Sequence, residues 1–565
     1  MNILTRIKIA LIIVSCLLTI LSKGQSIPIG TPILEDLYRR AQLLGQVDSS
    51  ISFTSRPLFI VAPLKITNNY DPTQTLDREL KTTFNGTTNF WDKKGLLQLL
   101  PINWQQQFNT HHPYSLNDGS MIPARGYQSM ISGGLYAKTG IFSIQLRPEV
   151  VFAANKTFET FTDHKTNQQL INYYKFKNII DLPEYFPGKP YKKLFWGQSS
   201  LRMTIGSISA GISSENMWWG PGMRNSLLMT NSAAGFNHFT LNTVKPIRTP
   251  IGSFEGQIIG GRLDQSGFFG ADTNLVINGV KLYHAKREDW RYINGIVMTY
   301  QPRWVPGLFL GLTRSFIIYH NDMNGIGDYF PVFTPLTKKS NYGESDSKVP
   351  GDQRASVFIR WLLQKEHIEL YFEYGREDHS YDLRDLTLQL DHSSAYICGF
   401  SKLFPLNTSG DRYIQFNFEL IQLETNMTNS RENLYFWYTH QAGIPQGYTN
   451  KGQMLGAGIG PGSSMQTTTV KWGKGLKSLG FQIERYVHNN DLFYLAIKDI
   501  RSHWVDINVA AIGEYNYQNL LFSAKLELIR SMNYQYNYEA DPFKFWTPGH
   551  DVYNLQANIG ISYRF

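Results

Sequence analysis

The chain closes on twelve residues, Asn554 to Phe565, in which Leu555, Ala557, Ile559, Ile561, Tyr563 and Phe565 alternate with Asn554, Gln556, Asn558, Gly560, Ser562 and Arg564. A strand points successive side chains to opposite faces, so one face of this segment is apolar and the other polar. At ~3.3 Å per residue and a tilt of about 40°, twelve residues rise roughly 30 Å, enough for the ~25 Å apolar band of a membrane barrel. Other segments repeat the pattern. Ile414, Phe416, Phe418 and Leu420 alternate with Gln415, Asn417 and Glu419; Leu370, Phe372 and Tyr374 alternate with Glu369, Tyr371 and Glu373. Leu520, Phe522, Ala524, Leu526 and Leu528 alternate with Leu521, Ser523, Lys525, Glu527 and Ile529. Carboxylates and lysines recurring on one face imply a polar interior.

Arg6 and Lys8, the apolar run Ile9 to Leu21 and the small residues around Ser22 and Gly24 read as an export signal over 1–24. The mature chain is expected to start near Gln25. Beyond it no apolar run reaches the ~18 residues of a helical span, and a mean hydropathy of −0.28 fits a wall whose inner half is wet. Loss of Cys16 with the leader leaves Cys398 alone, so no disulfide framework is expected. The net charge of +9 is spread along the chain. In an exported protein that charge fits solubility alone at least as well as anionic lipid headgroups or an acidic polysaccharide, and these better than nucleic acid.

One amphipathic helix is expected near the mature N-terminus, with Thr31 as cap, Pro32 in the first turn and Gly45 as stop. Ile33, Leu34, Leu37, Tyr38, Ala41 and Leu44 make its apolar stripe. A second short helix is expected over Lys94 to Leu100. Period-two alternation runs from about Tyr127. The chain therefore divides into a leader (1–24), a helical plug region with a possible first strand (25–125) and an all-β, antiparallel outer-membrane barrel (126–565). Segment counting gives roughly 16 to 20 strands, with an even number expected. Phe161–Lys193, Asn321–Asp352, Met427–Gly462 and Ser531–His550 read as folded-back loops.

Several long stretches resemble one family. They are RRAQLLGQVD (39–48), HHPYSLNDGSMIPARGYQ (111–128), ENMWWGPGMRNSLLMTNSAAGFNHFTL (215–241), DWRYINGIVMTYQPRWVPGLFLGL (289–312), GREDHSYDLRDL (375–386), YTNKGQMLGAGIGPGS (448–463) and ERYVHNND (484–491). Together they resemble the Wzi-like outer-membrane capsule-assembly proteins, in their Bacteroidetes form. The resemblance implies a barrel of about eighteen strands with a helical element at its periplasmic end. It also implies a lectin that holds surface polysaccharide and performs no known reaction.

The residues themselves offer three candidate groups. Trp218 and Trp219, beside the Gly220-Pro221-Gly222 turn, can stack on sugar C–H faces, belong to an interfacial girdle, or pack a plug against the wall. Arg224, Asn225, Asn231, Asn237 and His238 follow with donors and acceptors for hydroxyls. Arg376, Glu377, Asp378, His379, Asp382, Arg384 and Asp385 form the densest charge cluster, open to three readings: lumen bracing, contact with an acidic glycan, or an acid–base pair for glycoside hydrolysis. Glu484 and Arg485 are open to the same three. Adjacent His111 and His112 point apart on an extended chain and lack a spaced third ligand, so no metal is expected, and no cofactor. The expected partners are capsular or exopolysaccharide, outer-membrane lipid and lipopolysaccharide, and the barrel-assembly machinery, with the protein acting as a monomer. A glycan or solute pore is the main alternative, and a membrane-embedded hydrolase the third reading.

Overall fold

The computed structural model describes residues 25–59, 70, 86–92, 94–333, 351–377, 390, 393–425, 437–439, 443–538 and 550–565. They form a closed antiparallel barrel of eighteen wall strands. In chain order these are β1 (Gly95–Asn109), β2 (Gly126–Thr139), β3 (Phe142–Leu146 and Glu149–Ala153), β4 (Tyr191–Phe195 and Ser200–Ile205), β5 (Ile208–Ser213), β6 (His238–Thr243 and Ile247–Thr249), β7 (Gly252–Leu263), β8 (Arg291–Pro302) and β9 (Leu308–Tyr319). The ring continues through β10 (Asp352–Leu363), β11 (Ile368–Glu377), β12 (Ser394–Pro405), β13 (Arg412–Gln422), β14 (Ser464–Lys474), β15 (Lys477–Val487), β16 (Val505–Tyr517), β17 (Leu520–Met532) and β18 (Val552–Tyr563). β18 pairs with β1, from Gln556 opposite Asn109 to Tyr563 opposite Ile102, and so removes both sheet edges.

Alternation sets the two faces of the wall. On β18, Leu555 and Ile559 are 40% and 47% exposed on the outside, while Asn554 and Gln556 are buried within. On β11, Leu370 and Phe372 face out and Glu369, Tyr371 and Glu373 face in. An uncovered apolar belt around a closed ring is stable only in lipid. Among the described residues no helix is long and apolar enough to cross a membrane. Short turns gather at one end and long connections at the other, the first facing the periplasm and the second the exterior in barrels of this kind. Trp304, Trp361, Phe404, Trp472, Tyr515 and Tyr563 stand exposed near the short turns as an aromatic girdle.

Helix α1 (Pro32–Leu43) lies across the short-turn mouth. Its stop is as expected: Gly45 is left-handed at φ 71°, its N–H bonds the Gln42 carbonyl, and the Gln46 N–H bonds that of Ala41. Its start differs, because the Thr31 hydroxyl donates to the Pro28 carbonyl and caps no helical amide. Ile33, Leu34 and Tyr38 pack on Leu100, Tyr136 and Leu521 at one side of the ring. Leu43 and Leu44 pack on Phe309, Leu362, Leu403 and Tyr413 at the other. The lumen is thus apolar where the helix seals it and again at the loop end, where inward loops pack Trp219, Leu227 and Tyr438 on Ile259, Val297 and Ile397 of the wall; polar and charged side chains line the space between.

No helix forms over Lys94 to Leu100. Gly95 to Leu100 instead open β1, because a short apolar run fits either element and here the ladders to β2 and Thr87–Phe90 take its backbone groups. Pro101 lies in a register shift between Leu100 and Asn103, where a missing N–H costs no ladder bond. The wall therefore begins at Gly95, inside the 25–125 region and ahead of Tyr127. A second helix, α2 (Asn167–Lys177), stands in the 161–193 stretch behind a capping box of Thr166 and Gln169.

Candidate functional site

The N-terminal segment is stitched to the inner wall around much of the ring. Arg39 pairs with Glu369 of β11 and donates to the Pro221 carbonyl at 2.9 Å. Arg360 of β10 reaches the same Glu369 at 2.8 Å, the Gln42 side chain at 2.8 Å and the Ser52 carbonyl at 3.0 Å. Asp36 meets Lys471 of β14 at 2.9 Å, and Lys471 meets Glu514 of β16 at 3.1 Å. Gln301 of β8 donates to the Ser49 carbonyl at 2.9 Å. Arg39, and Arg40 through the Gly475 carbonyl at 3.1 Å, thus serve as buried ties to the wall. Buried charges persist only when each finds a partner, which fixes the plug in one pose.

From the other side, the segment between β5 and β6 folds into the lumen and meets the plug. Ser55 and Arg56 pair with Trp219 and Trp218 as a two-residue ladder. Trp219 is fully buried, its indole N–H donates to Gln257 at 2.9 Å, and its ring lies against Gly295. Trp218 is 3% exposed beneath the Arg56 guanidinium at 4.5 Å. Of the uses open to these tryptophans, the geometry corresponds to packing plug against wall, because both rings are buried inside the barrel. Asn225 donates to Glu419 at 3.1 Å, Asn231 to the Asn117 carbonyl at 2.8 Å, and His238 bonds the Phe236 carbonyl at 2.8 Å. All three are buried.

Glu484 is also fully buried. It holds Arg224 at 3.2 Å, Thr467 at 2.8 Å and Asn508 at 3.3 Å, and accepts the Tyr114 hydroxyl. Those contacts fill a carboxylate's acceptor sites. Arg485, one residue on, faces outward and donates to Gln466 at 3.1 Å, since neighbours on a strand point apart. The structure therefore separates this sequence-adjacent pair. Arg376 and Glu377 end β11 at the loop side, and Glu377 is tied to Arg354. Asp378, His379, Asp382, Arg384 and Asp385 lie outside the described residues.

Between plug and inward loops remains a cavity of about 460 Å³. Trp218, Arg224 and Asn231 line it together with residues that no sequence signal marked as a site, notably Asp118, Glu419, Lys471 and Lys525. Burial raises the Asp118 carboxyl above the usual range, against bonds from Ser115 and Gln107 that favour its charge. At the loop end, rings stack in series, all partly exposed except the buried Phe493. His488 lies between Tyr486 and Trp504, with centroids 3.8 and 3.7 Å away, and bonds Asp506 at 2.7 Å. His503 stacks on Phe493 at 3.7 Å beside Tyr494. Only ERYVHNND in the sequence hinted at this cluster, since Trp504 and Tyr494 come together through the connection after β15.

Comparison with known proteins adds a family and a fold. The profile of the family described as capsule assembly protein Wzi matches residues 123–545. No curated protein sequence matches the chain. Among solved structures the chain is similar to the Escherichia coli outer-membrane protein Wzi, described as involved in group 1 capsule assembly and as a carbohydrate-binding β-barrel. Identity there is 14%, coverage 96% of this chain and 100% of that one, and the TM-score 0.58, a likeness of fold. Acinetobacter baumannii OccAB2 aligns at 10% identity over 82% of this chain and 98% of its own, with a TM-score of 0.39 that carries no argument.

Proposed function

This chain belongs to the Wzi family of capsule-assembly proteins, is an outer-membrane β-barrel, and from that premise we propose that it holds exported capsular or surface polysaccharide at the cell surface without catalysis. The observation that carries the reading is the braced plug: a lumen sealed by α1 and filled by inward loops favours retention over passage. The remaining cavity suits a small ligand and is too small for a polymer. The glycan is assigned to the loop end, where Tyr494, His503 and Trp504 offer aromatic surface beside Asn490 and Arg501. Glu484, with its carboxylate occupied by five partners, Gln482 at 3.3 Å among them, supports a bracing role and not that of an acid or base.

Pull-down of the purified barrel in detergent with polysaccharide from the producing cells checks this directly. Trp504→Ala is expected to weaken retention by about 1–3 kcal/mol, the scale of one lost stacking contact, with the barrel still folded. Deleting the protein is expected to leave polymer synthesis intact and release polymer into the medium. Unchanged cell-associated polysaccharide after deletion would end the proposal.

A further inference from the structure

The outer surface of the wall carries a basic pocket at the loop end of β2, β3 and β4 that neither the plug nor the mouth uses. Arg125, Lys156 and Lys189 line it with Phe152 and Ala154, and Lys192 stands opposite Phe152 across the β3–β4 ladder, its ammonium 6.0 Å from that ring. Arg125 and Lys156 are direct cross-strand partners, and like charges so placed repel. None of these four cations is within ion-pair distance of a carboxylate among the described residues. Two other loop-end arginines differ: Arg262 has Asp264 at 2.8 Å, and Arg287 has Asp322 at 2.8 Å. Arg125 is held by two neutral groups, the carbonyls of Thr110 at 3.0 Å and Thr157 at 2.7 Å, which fix its position and leave its charge uncompensated.

Below these cations the same outward face turns apolar. Val150 stands opposite Leu194, and Val150, Leu194 and Trp196 are 53%, 70% and 69% exposed. Tyr127 and Phe152 sit between the two zones with ring centroids 6.5 Å apart. Cations above an aromatic step above bare apolar surface match, in order, the phosphates, sugar–acyl junction and chains of a lipid in the outer leaflet.

We propose that this pocket seats a phosphorylated glycolipid headgroup of the outer leaflet, with phosphates on Arg125, Lys156, Lys189 and Lys192 and acyl chains along Val150, Leu194 and Trp196. An acidic polysaccharide would meet the cations but has nothing to lay against the apolar face. The site is independent of glycan retention at the mouth.

The test titrates the full mature barrel in uncharged detergent with bisphosphorylated lipid A, dephosphorylated lipid A, inorganic phosphate and polygalacturonate, read by native mass spectrometry. Bisphosphorylated lipid A is expected to bind at least about tenfold more tightly than the dephosphorylated form, and K156E/K192E to abolish that preference. K156R/K192R should keep it, and unchanged heat-modifiable gel migration of all variants shows that folding is intact. Equal binding of both lipid forms, or a preference that survives K156E/K192E, overturns the proposal. Inorganic phosphate or polygalacturonate matching the lipid's affinity overturns it too, by assigning the pocket to a soluble anion.

Discussion

Gly295 on β8 faces the Trp219 ring so closely that a Cβ there would lie 2.7 Å from it. That contact, with the bond to Gln257, makes Trp219 a packing residue: Trp219→Ala is expected to cost about 3–5 kcal/mol of stability and lower the temperature at which the barrel loses its folded gel migration. The Arg39–Glu369–Arg360 triad makes a second residue-scale prediction. Glu369→Gln leaves two guanidinium groups buried beside a neutral amide, a change worth about 3–5 kcal/mol, which should appear as rapid proteolysis of the N-terminal segment. At this scale the sequence showed which residue types were present and little about their use. Trp218 and Trp219 carry the composition of a sugar platform, but their burial follows from pairing with Ser55 and Arg56, far away in the chain.

Among the elements, the connection between β15 and β16 is where acidity matters. Asp491, a buried residue of that connection, accepts bonds from the Thr425 amide at 2.9 Å and hydroxyl at 3.0 Å. Burial, with Glu424 nearby, raises its carboxyl from 3.8 to about 7. The fold therefore keeps a proton that the unfolded chain releases. The resulting stabilisation is complete below about pH 4, declines as pH rises and is gone above about 7. Amide exchange in residues 488–504, corrected for its intrinsic rate, is expected to be slower at pH 5 than at pH 8. The elements were unevenly legible. Helix α1 showed its apolar stripe and glycine stop because both signals are local. Helix α2 also carried a local signal, Thr166 with Gln169, but in a stretch dominated by turn residues. Lys94 to Leu100 had no decisive period, and its neighbours across the ladder made it a strand.

For the whole molecule, the plug sets whether the barrel conducts. With residues 25–59 in place, planar bilayers are expected to show little ion current; with 25–59 deleted, the cavity should join the short-turn mouth and conductance should rise severalfold. Equal currents in the two proteins would show that α1 does not seal the lumen.

A closed wall with an apolar outside and a polar inside was legible in the sequence, because period-two alternation is local and a membrane demands it of each strand separately. Tertiary structure alone decided how the lumen is filled. The ties from Arg39 to Glu369, Lys471 to Asp36 and Arg224 to Glu484 link positions hundreds of residues apart, and a buried charge takes whichever partner the closed ring brings within reach.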